Sequence, residues 1–149
     1  MRLRRAGLED MPALAVLHRL TVRACLPFLP ELHTAQEDLA YFCDQLFPSN
    51  TVWLVETDGM ILGYAAATPG WLNHLYVHSD HHGRGVGERL LRQVMDGQDG
   101  LQLWAFQKNA AARRFYERHA FRLQALTDGA RNEEQEPDAL YAWTRVSDG

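Results

Sequence analysis

The segment Asn73–Leu91 constrains the fold more than any other part of this chain. Asn73-His74-Leu75-Tyr76-Val77 reads as the end of an apolar strand, and Gly83, Gly85 and Gly87 then alternate through a short loop. Val86, Leu90, Leu91 and Val94 follow with the one-sided spacing of an amphipathic helix. A strand that feeds a helix through such a loop aims several backbone N–H groups at one point, backed by the positive end of the helix dipole. The product is a receptor for a phosphate or pyrophosphate, built from main chain rather than from basic side chains.

The elements around this segment can be read in order. Met1–Arg5 alternates weakly as a short strand. Leu8–Ala24 carries Met11, Leu14, Ala15, Leu17, Leu20 and Val22 near helical spacing, and Pro27 and Pro30 close that helix. Thr34 with Glu37 three residues later makes a capping box for a second helix. Leu39, Phe42, Cys43, Leu46 and Phe47 form its buried face, and Pro48 is its expected end. Thr51–Glu56 and Met60–Ala67 flank Asp58-Gly59, a type I′ hairpin signal. A further strand covers Trp71–Val77. Beyond the loop come the helix from Val86, a strand at Leu101–Phe106, and a helix capped by Asn109 that runs to about His119. Closing strands at Phe121–Leu126 and Ala139–Arg145 enclose the acidic loop Asn132–Asp138. The order β-α-α-β-β-β-α-β-α-β-β defines a mixed α+β fold, expected as a single domain over 1–149.

Bulk properties narrow the function classes. A net charge of −4 argues against a broad nucleic-acid surface, and no apolar run approaches the length of a membrane span. Cys25 and Cys43 lack metal-site spacing and are expected as buried free thiols, which suits the cytoplasm. His74, His78, His81 and His82 invite a metal reading, but neighbouring histidines in a loop do not converge by themselves and no carboxylate or thiol set completes a site. No metal is expected. Neither is a nucleic-acid or membrane partner, and the chain is expected to be a monomer or homodimer.

With these residues in view the chain resembles the GCN5-related N-acetyltransferases (GNAT). The resemblance rests on His82-x-x-Gly85-x-Gly87 after an apolar strand, and on Asn109-x-x-Ala112-x-x-x-Tyr116 followed by Ala120-Phe121. The family pattern has Gln or Arg where His82 stands and Gly where Ala120 stands. The resemblance implies a central, mostly antiparallel mixed sheet, splayed between the fourth and fifth strands and flanked by about four helices. Acetyl-CoA would lie in the split as co-substrate. The backbone of Leu75, Tyr76 and Val77 would pair with its pantetheine arm, and His82, Gly83, Arg84, Gly85, Val86 and Gly87 would hold the pyrophosphate. Asn109 would contact the cofactor, Tyr116 would sit beside the thioester sulfur, and a small-molecule amine or a peptide would be the acceptor.

Chemistry limits these roles. A thiol pKa near about 8.5 against a tyrosine near about 10 makes full proton transfer uphill by about 2 kcal/mol in water, so Tyr116 acts first as a hydrogen-bond donor to the leaving sulfur. An alkylamine of pKa about 10.4 is only about one part in a few thousand neutral at pH 7, so a base or a water chain is needed. Trp71 and Asn73 occupy the strand positions where that base is expected. Strict alternation puts His74 on the opposite face. His33, Glu37, Trp71 and Asn73 are the candidate acceptor-binding residues, although Glu37 also serves as capping partner of Thr34. A left-handed Ala120 would cost about 1 kcal/mol. The rival functional reading is a non-catalytic acyl-CoA-binding module, which needs the loop but neither Tyr116 nor a base. A P-loop or dinucleotide-binding fold ranks below both, since Gly-Lys-Ser/Thr and the downstream acidic residue are missing.

Overall fold

The computed structural model describes residues 1–146. Its elements are β1 (Arg2–Arg5), a 3-10 turn (Leu8–Asp10), α1 (Met11–Cys25), α2 (Ala35–Tyr41), a π-helical segment (Phe42–Leu46), the one-turn α3 (Phe47–Ser49), β2 (Thr51–Thr57), β3 (Met60–Thr68) and β4 (Trp71–Val77). A second 3-10 turn (Ser79–His81) precedes α4 (Val86–Met95), β5 (Gly100–Phe106), α5 (Ala110–Arg118), β6 (Arg122–Leu126) and β7 (Asp138–Thr144). The order is the one read from hydrophobic periodicity.

Seven strands form one sheet in the order β1-β2-β3-β4-β5-β7-β6. Every neighbouring pair is antiparallel except β4 and β5, which are parallel and meet in register only at Trp71 and Gln102. The sheet therefore splits beyond that bridge, between its fourth and fifth strands. Two cores cover its faces. Met11, Leu14, Leu17, Phe42 and Leu46 from α1 and the α2–α3 run pack on Val52, Leu54, Tyr64 and Ala66. On the other face Val86, Leu90, Leu91 and Tyr116 from α4 and α5 pack on Leu62, Ala65, Leu72, Leu103 and Tyr141. Gly63 makes room for α4, because a Cβ there would lie 2.9 Å from the Tyr76 carbonyl and 3.1 Å from Val86.

Local signals behave as their physics requires. The Asp58-Gly59 hairpin turn has φ of 48° and 80°, the type I′ pattern. Thr34 Oγ1 accepts from Glu37 N at 3.1 Å and Glu37 Oε1 accepts from Thr34 N at 2.9 Å, closing the capping box. Four expectations need correction. Pro48 does not end its helix: the π-helical segment before it, closed by the bond from Phe47 N to Phe42 O, widens the turn that the proline ring would otherwise strike. Leu20 and Leu39 are exposed, at the edges of stripes whose centres are Leu17 and Phe42. Cys25 is also exposed, because it falls on the last turn of α1, and Cys43 is only half-buried. Finally, β4 carries a bulge. Ala67 pairs with Leu72 and Ala66 with His74, so Asn73 is the extra residue and alternation resets there. His74 consequently shares the α1/α2 face with Trp71 rather than opposing it.

Candidate active site

The loop after β4 is shaped by two backbone conformations that L side chains avoid. Gly83 and Gly85 have φ of 81° and 79°, whereas Gly87 lies inside α4, where a Cβ would merely touch Phe115 at 3.6 Å. The first helical hydrogen bond runs from Arg89 N to Gly85 O at 3.0 Å, and no side chain caps Gly85. The N–H groups of Val86, Gly87 and Glu88 thus open toward the loop without helical partners. The Nε2–H of His82 donates to the Val77 carbonyl at 2.9 Å, tying the loop to the end of β4. Arg84 is exposed beside His81, while Arg89 donates to the Met1 carbonyl at 2.9 Å. Glu88 turns along the helix to Arg92 at 2.6 Å, away from the anion site.

β4 pairs with β3 through Leu75, Tyr76 and Val77, opposite Ala65, Tyr64 and Gly63. Its other edge, facing β5, has no strand partner after Trp71. On the β5 side, Asn109 Oδ1 caps α5 by accepting from Ala112 N at 3.2 Å. Tyr116, 8% exposed, projects from α5 into the core beneath the split, with its ring 5.6 Å from Phe121. Burial raises the Tyr116 phenol well above the ordinary tyrosine range, and the neighbouring Tyr76 adds to the rise. The Tyr76 phenol is itself pushed up to about 12, first by burial and then by the charge of Glu134.

A cavity of about 390 Å³ opens on the α1/α2 side of Tyr76, a size suited to a small ligand or one side chain. His18, Asp38, Tyr76, Phe106, Glu133 and Glu134 define its walls, with the Leu26–His33 connection over the top. The ring of His33 spans its mouth, with Nε2 2.5 Å from Glu133 and Nδ1 3.9 Å from Glu37. Arg19 neutralises Asp38 at 2.8 Å and Arg23 neutralises Glu31 at 2.5 Å. Glu134, half-buried, has no cationic partner among the described residues. A second cavity of about 790 Å³ adjoins the first across Phe106 and Glu134, along Trp104, Asp128, Arg131 and Asn132.

His33 therefore lines this cavity and Glu37 stands just behind it. Trp71 and Asn73 line neither cavity: Trp71 forms the bridge to β5, and Asn73 donates to Asn50 Oδ1 at 2.9 Å and Thr68 Oγ1 at 3.1 Å. The four histidines of the 74–82 stretch point to different places. His74 Nδ1 shares a hydrogen bond with the Tyr64 hydroxyl at 2.9 Å, His78 and His81 pack against each other, and His82 holds Val77. Sequence reasoning missed His18, which sits on the buried stripe of α1 one position after Leu17 and four after Leu14. A histidine inside an apolar helical stripe is the signal that would have found it.

The sheet thus splits beside a strand–glycine loop–helix segment, with Tyr116 of α5 buried in the adjoining core. Residues 48–123 match the acetyltransferase (GNAT) domain. The chain is 29% identical over 126 residues to the peptidyl-lysine N-acetyltransferase YiaC of Escherichia coli, covering 83% of this chain and 75% of that one. Its fold superposes on apo-form YjaB from Escherichia coli with a TM-score of 0.78 at 19% identity, over 97% of this chain and 98% of that chain. It also superposes on yncA, a putative acetyltransferase from Salmonella typhimurium solved with its cofactor acetyl-CoA, with a TM-score of 0.75 at 18% identity, over 100% and 96% of the chains. The protein belongs to the GCN5-related N-acetyltransferase family and is an acetyl-CoA-dependent N-acetyltransferase.

Proposed function

We propose that the protein transfers the acetyl group of acetyl-CoA to a primary amine on a cationic acceptor, a lysine side chain of a peptide or a small molecule of like charge. The observation that carries this reading is the cavity beside Tyr76, where Glu134 is an uncompensated carboxylate at the mouth of the β4–β5 split. A carboxylate so placed attracts an ammonium group and holds it next to the thioester. The adjoining cavity along Trp104 gives room for chain on either side of a lysine, and the name of the YiaC relative supports a peptidyl acceptor.

In this reading the unpaired edge of Leu75–Val77 hydrogen-bonds the pantetheine arm and the amides from Gly83 to Gly87 take the pyrophosphate. Arg84 reaches the outer phosphates, and the free side-chain amide of Asn109 contacts the arm. The amine attacks the acetyl carbon directly, and Tyr116 donates a hydrogen bond that strengthens as charge gathers on sulfur. Burial makes its phenol a weaker acid and keeps it protonated for that task. The test is CoA release across lysine peptides, polyamines and amino acids. Turnover should favour cationic primary amines, and Tyr116→Phe should lower kcat by about 100-fold while acetyl-CoA affinity stays nearly unchanged. Absence of CoA release with every acceptor, or full activity of the Phe variant, would overturn the respective part.

A further inference from the structure

The reaction begins with a problem that Tyr116 does not solve. A cationic acceptor must lose a proton before its nitrogen can attack, and the β4 positions nearest the split hold Trp71 and Asn73. Asp38 is paired with Arg19, Glu31 with Arg23 and Glu133 with His33, which leaves four groups near the cavity as candidates. His74 is excluded by geometry: it lies in an aromatic cluster with Tyr41, Phe42, Tyr64 and Tyr76, its Nδ1 is occupied by the Tyr64 hydroxyl, and it does not line the cavity. His33 has both ring nitrogens turned to carboxylates, Glu133 and Glu37, at the outer mouth. Glu134 lines both cavities where they adjoin, a place suited to holding the cation. The fourth is His18.

We infer that His18 is the proton acceptor for the attacking amine. It projects from the middle of α1 into the cavity wall, with its ring edge-on to Tyr76 at 4.8 Å between centroids. Phe42 and His74 pack on its other sides at 5.6 and 5.4 Å. Among the described residues its imidazole has no hydrogen-bond partner, unlike His33, His74, His82 and His119. The titratable and charged groups around it are His74 and Tyr76 from β4, which pack on its ring, Asp38 from α2, Arg19 and Arg23 from α1, and Glu31, His33, Glu133 and Glu134 around the cavity. Burial pushes its pKa below 6.5, and the charge of Asp38 partly opposes that fall. The ring is therefore neutral near pH 7 and free to accept, and Asp38 favours the imidazolium once formed.

The inference rests on the acetyltransfer reading. The balanced course is that R–NH3+ gives one proton to His18 and the nitrogen lone pair forms a C–N bond to the acetyl carbon. The C–S bond then breaks, its electron pair leaves on sulfur, and the second amine proton passes to the thiolate. His18 returns its proton to solvent, so the net products are the acetamide, CoA–SH and one proton.

The experiment is the pH profile of kcat/KM for wild type and His18→Gln, with lysine peptide and with a second amine of different pKa. Wild type should show an acid limb below pH 6.5 at the same position for both acceptors, matching the titration of the His18 imidazole by NMR. In His18→Gln that limb should vanish and kcat should fall by about 100-fold, with the acetyl-CoA melting shift retained. Added imidazole should partly restore His18→Ala. An unchanged kcat, a surviving acid limb, or a limb that departs from the NMR titration would overturn the role of His18. His18→Asn serves if the Gln variant does not fold. Failure of the wild type to turn over any amine would instead overturn the acetyltransfer reading itself.

Discussion

Tyr116 serves the molecule through two separate groups. Its phenol lies under the split, and its carbonyl accepts from Phe121 N at 3.0 Å, the six-to-one bond of a Schellman ending. The Tyr116–Phe121 ring contact supplies the apolar clasp that accompanies this ending. The residue that must turn left-handed there is Ala120, at φ 70°. Ala120→Gly should therefore stabilise the fold by about 0.5–1 kcal/mol, read as a higher urea midpoint at unchanged slope. His74 gives a second expectation at this scale. Its pKa falls from 6.5 to about 3 because burial disfavours the charged ring, with His18 nearby adding to the effect. Between those values the unfolded chain binds a proton that the native chain refuses. Stability should thus drop as pH is lowered from 6.5 toward 3, by up to about 1.4 kcal/mol per pH unit. His74→Gln should flatten that slope in denaturation series at several pH values.

Among the elements, the strand–loop–helix unit at 71–95 does the most to place chemistry. Its signal is local: apolar run, alternating glycines, amphipathic helix. That is why its boundaries could be read from the chain alone. Gly85→Ala should cost about 1 kcal/mol of stability from its positive φ. It should also weaken acetyl-CoA binding, measured by calorimetry, because the amides at the start of α4 would be re-aimed. The bulge at Asn73 was not legible, since an extra strand residue leaves the hydrophobic pattern of a short segment unaltered. That one residue decides which face His74 occupies. The π-helical segment before Pro48 escaped for a similar reason: proline reads as a stop, and the compensating wide turn has no composition of its own. His18 has a local signal in the apolar stripe of α1, but its place opposite Glu134 follows only from the fold, which brings α1 and the β6–β7 loop to one cavity from more than 100 positions apart. Local pattern thus made the candidate donor loop legible, whereas the cavity proposed for the acceptor is assembled from distant segments and required the fold.

For the whole molecule, the two cores sit on opposite faces of one sheet, and the sheet is continuous only up to Trp71 and Gln102. Acetyl-CoA should act as a staple across the gap. At 100 times its dissociation constant it should stabilise the native state by about 2.7 kcal/mol and slow amide exchange along residues 73–77, seen by mass spectrometry. ATP or NAD producing that shift in its place would contradict the donor site. The split has a further consequence. A strand with one bare side is a template for any other extended chain, and edges at the ends of sheets are commonly shielded by charge, bends or covering loops. Here a bare side lies in the interior of the sheet, where a pantetheine arm bound in the split would shield it, so the loaded enzyme should also be the form better protected against sticking to its own copies.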